Sequence, residues 1–174
     1  NTTAANNTAV GASALVSNTT GNSNTALGHN AAQDTTTGYN ITAIGRESLA
    51  NNTTGYDNVA VGKGTLITNT TGIRNTGLGT GALEDNTTGG YNVAIGYVAL
   101  ANNTSANYNI AIGYEALKDN TTGQNNVALG KGALEKNTSA DNNTAVGFQA
   151  LLLNTTGANN VAIGSYTLDA NTTG

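Results

Sequence analysis

The sequence predicts an all-β protein, a parallel β-solenoid in which each of ten sequence repeats forms one coil. Three observations lead to this fold class. One glycine recurs at every seventeenth position, the residues before it alternate in size, and Asn, Thr and Gly fill much of the rest. A short fixed period without insertions is typical of stacked repeat architectures. The recurring glycines are Gly11, Gly28, Gly45, Gly62, Gly79, Gly96, Gly113, Gly130, Gly147 and Gly164.

We number each unit from this repeat glycine, as position 0. Position −1 is always aliphatic, position −2 is Ala except at Gly77, and position −3 is Thr, Val or Ile. Position −4 is Asn except at Ile41, and position +4 is Leu except at Ala32. Charged residues avoid positions −4 to 0, +3 and +4. We therefore expect these positions to be buried, or paired with a neighbouring unit.

The segment from position −4 to 0 predicts a β-strand, because its larger and smaller residues alternate with a period of two. A helix is excluded, since Gly, Asn and β-branched residues are poor helix formers. A unit of this length has room for two short strands and two turns, and Asn-Thr-Thr-Gly supplies one of the turns. The repeat glycine, which no unit replaces, is expected at a bulge, a positive φ or a close backbone approach.

Stacking brings identical residues of successive units into ladders along a rod. At the strand spacing of about 4.8 Å, ten coils would extend over about 48 Å. Asn side chains in such ladders can bond amide to amide between coils, which explains the Asn content without any binding role. Residues 1–174 thus form a single repeat array, and we expect it to be a fragment of a longer fibre.

Two orientations of the strand remain open. With the Ala positions inside, the Thr, Val, Ile and Leu residues at positions −3 and −1 form an outward stripe of about 500 Å², close to the most that soluble monomers expose. With the aliphatic residues inside, the outer face is flat and compatible with a monomer. We favour the outward stripe, which predicts an interface between copies of the chain. Its residues include Val61, Ile95, Ile112, Leu129, Val146 and Ile163.

Residues suited to catalysis or metal binding are scarce. His29 is the only histidine, the carboxylates are scattered, and no nucleophile has a base partner. We predict no catalytic residues, no metal ligands and no cofactor. Only six Lys and Arg residues are present, which argues against nucleic-acid binding. No apolar run reaches the roughly 18 residues that would cross a membrane.

Four tyrosines lie in two adjacent units, at positions −5 and +1: Tyr91, Tyr97, Tyr108 and Tyr114. Stacked two high, they would form a small aromatic patch able to bind a ligand such as a sugar. The alternative is that aromatic pairs simply brace neighbouring coils. Asn-x-Ser/Thr sequons, for instance at Asn18, Asn69, Asn86 and Asn154, arise from the repeat and signify glycans only where the source glycosylates such sites.

Five units carry the strand segment in its fullest form, 58–62, 92–96, 109–113, 126–130 and 160–164, each reading Asn-[Val/Ile]-Ala-[Val/Ile/Leu]-Gly. With the Ala-Leu that follows, as in Ala99-Leu100, they resemble the head repeats of trimeric autotransporter adhesins. Similar repeats occur in bacteriophage tail fibres and other bacterial surface fibres. The resemblance implies a left-handed parallel β-roll and a side-by-side homotrimer, with this strand at the trimer interface.

These observations predict a structural or adhesive fibre segment at the cell surface or outside the cell, and not an enzyme. Its expected partners are copies of itself and a host-surface glycan or protein. One alternative is a subunit of an extracellular filament or sheath, in which rods join end to end. Another is an ice-binding β-solenoid, although Thr pairs such as Thr53-Thr54 lie beside the turn glycine and not within a strand.

Overall fold

In a computed structural model, which describes residues 3–173, the chain is an all-β solenoid. The described residues contain no helix, and ten strands lie in one sheet in sequence order. The strands are β1 (Thr8–Val10), β2 (Thr25–Leu27), β3 (Thr42–Ile44), β4 (Val59–Val61), β5 (Thr76–Leu78), β6 (Val93–Ile95), β7 (Ile110–Ile112), β8 (Val127–Leu129), β9 (Thr144–Val146) and β10 (Val161–Ile163). The ends of the predicted array, Asn1, Thr2 and Gly174, lie outside the described residues.

Each strand pairs in parallel with the strand of the next coil, so that equal repeat positions lie opposite one another. Ala43 lies opposite Ala60, and Ile44 lies opposite Val61. The same register continues from β1 to β10. The predicted parallel β-solenoid, with one strand for each sequence repeat, is therefore confirmed.

The expectation of two strands per coil is wrong. Each coil contains one strand, and positions +1 to +6 form successive turns instead. Positions +2 and +4 are left-handed there, as in Glu115 (φ 55°) and Leu117 (φ 51°), whereas a strand needs extended residues throughout. This side still pairs between coils, since the Leu117 N–H donates to the Ala133 carbonyl at 2.9 Å.

The interior of the solenoid is filled by small residues from the strand side and by Leu from the turn side. Ala111, Ala116 and Leu117 show the arrangement in one coil, and all three are fully buried. The alanines of position −2 therefore face inward, while positions −3 and −1 face outward and are paired through their backbones. This is the first of the two orientations left open by the sequence.

The repeat glycine has both a positive φ and a close backbone neighbour. Gly96 has a φ of +134°, and a Cβ added to it would overlap the carbonyl oxygen of Gly113 in the next coil. No other residue type fits such a position without moving a coil. The expectation for this glycine is thus confirmed.

Two buried Asn ladders join the coils at either end of the Asn-Thr-Thr-Gly turn. In the ladder at position −4, the Oδ1 of Asn109 accepts the backbone N–H of Asn126 at 2.9 Å, and its Nδ2 donates to the Gly123 carbonyl at 2.9 Å. In the turn ladder at position +7, the Nδ2 of Asn86 donates to the Oδ1 of Asn69 at 2.8 Å. The predicted side-chain ladders are therefore present, and they satisfy amide groups that burial would otherwise make costly.

Candidate functional site

The outward face of the sheet carries a continuous aliphatic stripe, formed by the position −1 residues from Val10 to Ile163. The strand register places each of them opposite the next, as in Ile95 and Ile112. Among the six residues predicted to form an interface, Leu129 and Ile163 are exposed, and Val61, Ile95, Ile112 and Val146 are half-buried. The structure thus brings all six onto one face of the rod, with their side chains outside the core.

The stripe is bordered by position −3, where Thr alternates irregularly with Val and Ile. Ile110 is 40% exposed, and Val161 is 67% exposed. Neither position −3 nor position −1 carries a charged residue in any of the ten coils. The outer face of the sheet is consequently an uncharged, largely aliphatic surface along its whole length.

A column of rings and one cation runs along one border of this face, at positions −6 and −5. Tyr39 stacks on Tyr56 with 4.7 Å between ring centroids, and Tyr91 stacks on Tyr108 at 5.0 Å. Arg74 lies between the pairs, 6.0 Å from the Tyr56 centroid and 5.3 Å from that of Tyr91. The five side chains therefore form one continuous stack through five coils.

Arg74 is further anchored by its neighbours in this column. Its Nη1 donates to the Tyr91 hydroxyl at 2.6 Å, and its Nε lies 3.5 Å from Asp57. The bond to Tyr91, followed by that to Asp57, raises the pKa of Arg74 above its ordinary value. The guanidinium is thus a permanent positive charge held between aromatic rings.

A second column follows positions +1 and +2 on the other border. Tyr97 stacks on Tyr114 at 5.3 Å, and the Lys131 ammonium lies 5.4 Å from the Tyr114 centroid and 5.8 Å from that of Phe148. Phe148 then meets Tyr166 edge to face at 5.1 Å. This column, too, is an aromatic stack interrupted by one cation.

The four tyrosines predicted as one patch are therefore two separate stacked pairs. Tyr91 and Tyr108 precede the strands β6 and β7, whereas Tyr97 and Tyr114 follow them, and no ring contact within residues 3–173 joins the pairs. The stacking supports the bracing role. Sequence reasoning missed the rest of the columns, although the recurrence at equal or neighbouring repeat positions was visible: Tyr39, Tyr56, Arg74, Lys131, Phe148 and Tyr166.

Charged residues form a partly exposed rim outside the sheet face. Lys136 joins two coils through Asp119 at 3.0 Å and also contacts Glu135 at 2.8 Å. The bond to Glu135, followed by that to Asp119, raises the pKa of Lys136. His29 is exposed, and residues 3–173 contain no cluster of three or more His, Cys, Asp or Glu arranged to hold a metal ion.

The sequons of the turn ladder are buried. The side chain of Asn69, for example, donates from Nδ2 to the Asn52 Oδ1 at 2.9 Å and to the Gly72 carbonyl at 3.2 Å. Asn18, Asn86 and Asn154 are buried in the same way. The nitrogen that would carry an N-linked glycan is thus engaged inside the solenoid.

No helix in the described part of the chain has the length and apolar character required to span a membrane. Comparison with protein-family models, with curated proteins and with solved structures finds no match to this chain.

Proposed function

We propose that this chain is a structural and adhesive segment of an extracellular fibre, in which copies associate side by side through the aliphatic stripe. The observation that carries the proposal is the outward direction of the stripe. The interior of the described residues is already filled by Ala and Leu, so the aliphatic side chains at position −1 lie outside the core and contact only their neighbours along the stripe. Water-exposed apolar surface that continues along a whole rod favours association.

A second copy of the same chain is the partner that fits this surface best. Two identical rods share the same repeat length, so that stripes can align coil against coil along their full length. A partner without that period would match the stripe at only a few coils. The absence of charge from positions −3 and −1 removes the repulsion that like charges would create between identical faces.

The number of copies in the proposal is three, as the resemblance to trimeric adhesin heads implies. The outer face of the sheet, with positions −3 and −1 together, offers about 500 Å², which is less than the roughly 800 Å² that each partner buries in a typical stable pair. The ring columns that border the stripe widen the available face. Around a threefold axis each chain also meets two neighbours, which adds to the area that it buries.

An adhesive role outside the cell accords with a rod that presents long rows of polar side chains to solvent. The Thr column at position +9 is exposed, as are many turn residues at positions −6 and −5. In the neighbouring column the Thr70 hydroxyl donates to the Thr87 carbonyl at 3.0 Å, so this row is committed to joining coils. The ice-binding alternative would therefore rest on one Thr column, the exposed one at position +9. We propose no catalytic role.

Mass measured by light scattering at several protein concentrations, with rod lengths from electron microscopy, tests the proposal. We expect a constant mass of about three times the 17.4 kDa of one chain. A protein that stays monomeric at high concentration would contradict side-by-side association. A mass that grows continuously with concentration, together with lengthening rods, would favour the end-to-end filament.

A further inference from the structure

Two glycines in successive coils line a notch in the turn side of the solenoid. Position +2 carries a side chain in most coils, but Gly64 and Gly81 are adjacent along the rod. A depression of about 280 Å³ lies there, between Glu47 of the preceding coil and Val98 of the following one. A Cβ added at Gly64 would meet nothing within 4 Å, so the space exists because a side chain is absent.

One wall of the notch is an aromatic ring with an uncovered face. Tyr97 lines the depression and is 51% exposed. Tyr114 stacks on one face of its ring, with 5.3 Å between centroids. The residue at the same repeat position in the preceding coil is Thr80, which also lines the depression and is too short to cover the other face.

The remaining walls combine hydrogen-bond donors and acceptors. Lys63 contributes an ammonium donor, Thr80 a hydroxyl, and Glu47 and Glu84 contribute carboxylate acceptors. Glu47 shares one oxygen with Arg46 at 3.0 Å. Within the described residues neither Lys63 nor Glu84 forms an ion pair, so both are available to a ligand.

We propose that this notch binds one sugar residue of a glycan. Sugar hydroxyls both donate and accept hydrogen bonds, and the apolar face of a sugar ring can pack on the open face of Tyr97. Glu47 is neutralised by Arg46, and the remaining charges of Lys63 and Glu84 balance one another, so the notch as a whole favours an uncharged ligand. The volume lies just below the range of drug-sized sites, which suits a single ring.

This inference rests on the adhesive part of the proposed function and identifies a ligand class and a place for it. Amide NMR titrations of the full chain with the methyl glycosides of glucose, galactose, mannose and N-acetylglucosamine test it. We expect saturable shifts of the Gly64 and Gly81 amides with at least one of these sugars. No shift of either amide with any of the four would overturn the proposal.

Filling the notch provides the decisive variant. Gly64→Gln places in it the residue found at the same position in another coil, Gln149, which has the same left-handed backbone with a φ of 53°. We expect at least a tenfold loss of affinity for the sugar. The matched control is Gly132→Gln, at position +2 of a coil whose neighbours both carry side chains there, and it should bind like the parent.

Further measurements distinguish a loss of sugar binding from misfolding and from a loss of side-by-side assembly. Tyr97→Ala should weaken binding by a similar factor, and unfolding curves of all three variants show whether each is folded. Equal sugar affinity in Gly64→Gln and the parent would overturn the notch as the binding site. The light-scattering mass should be unchanged by Gly64→Gln, so a failed sugar titration leaves the side-by-side assembly to be judged separately.

Discussion

The Nδ2 of Asn103 donates a hydrogen bond to the Oδ1 of Asn86, one coil away, at 2.7 Å. Asn86 in turn donates to Asn69 at 2.8 Å, so each amide in this buried ladder depends on the coils on either side of it. Asn86→Ala would leave the Asn69 oxygen without its donor. We expect a loss of about 2–3 kcal/mol in the free energy of unfolding, measured with urea.

The control for this prediction is Asn102→Ala. Asn102 adjoins the ladder residue Asn103 but is only half-buried, and its one side-chain bond, to Asp119, is 3.3 Å long. Its replacement should cost less than about 0.5 kcal/mol. Similar losses for the two variants would mean that the ladder contributes no more than surface contacts do.

The turn ladder is interrupted at Thr35, and repairing it should stabilise the protein. Among the described residues, Asn18 has the one buried side-chain atom without a hydrogen-bond partner, its Oδ1, because Thr35 has no amide to donate from the next coil. Thr35→Asn should add that bond and raise the free energy of unfolding by about 1 kcal/mol. Thr35→Val removes the hydroxyl that Asn52 contacts at 3.4 Å and should lower the free energy of unfolding. An Asn variant no more stable than the Val variant would contradict this account.

Gly96→Val should be strongly destabilising. A Cβ at Gly96 would overlap the Gly113 carbonyl oxygen, and its φ of +134° is unfavourable for a β-branched residue. Strain and overpacking together should cost about 3 kcal/mol, read from thermal unfolding. Gly64→Asn offers the comparison, because its Cβ position is open and Asn tolerates a left-handed backbone. Equal melting temperatures for the two variants would refute the close-approach interpretation.

Ile112→Asp tests the aliphatic stripe directly. In the proposed assembly its carboxylate would lie in an apolar seam between copies, where an unpaired charge costs several kcal/mol. We expect the assembly to dissociate to folded monomers, seen as a fall in light-scattering mass, while Glu115→Ala on the charged rim leaves the mass unchanged. Because Ile112 faces outward, the circular dichroism of the chain should persist. An Asp variant with the parent's mass would exclude the stripe from the interface.

The position of a sequon within the coil should decide whether it can carry a glycan in the folded protein. Asn137 is buried, with its Nδ2 bonded to Asn120 at 2.9 Å, whereas the sequon residue Asn142 is exposed. In a glycosylating host, mass spectrometry of the folded fraction should find modification at Asn142 and none at Asn137. Equal occupancy of the two sites in folded protein would contradict the buried ladder.

The period and residue types were sufficient to predict the solenoid, its register and its Asn ladders, because stacking makes every coil obey the same constraints. The turn side of the coil could not be predicted in the same way. Leu117 is left-handed, which a Leu side chain ordinarily disfavours, and it is held there by burial in the core. The length of the unit suggested a second strand, but the left-handed residues at positions +2 and +4 form turns there instead.

The contacts between side chains on the outer surface also could not be predicted from the sequence. Arg74 and Tyr91 occupy the same repeat position in successive coils, yet their contact depends on both side chains leaning along the rod from left-handed residues. Predicting the notch would also have required knowing that side chains at position +2 point outward. That direction follows from the positive φ of this position and not from the residue type. Spacing identified which residues are neighbours but could not show which way their side chains turn.

The hydrogen bonds that join one coil to the next run parallel to the long axis of the rod, from Val59 to Asn75 and onward. Tension on the chain would therefore peel coils away one at a time, each releasing 17 residues, or about 60 Å of slack. A fibre of this design would yield gradually under a shearing flow, absorbing work at every step. If rods associate along the aliphatic stripe as proposed, neighbouring rods would share the load and delay the first release.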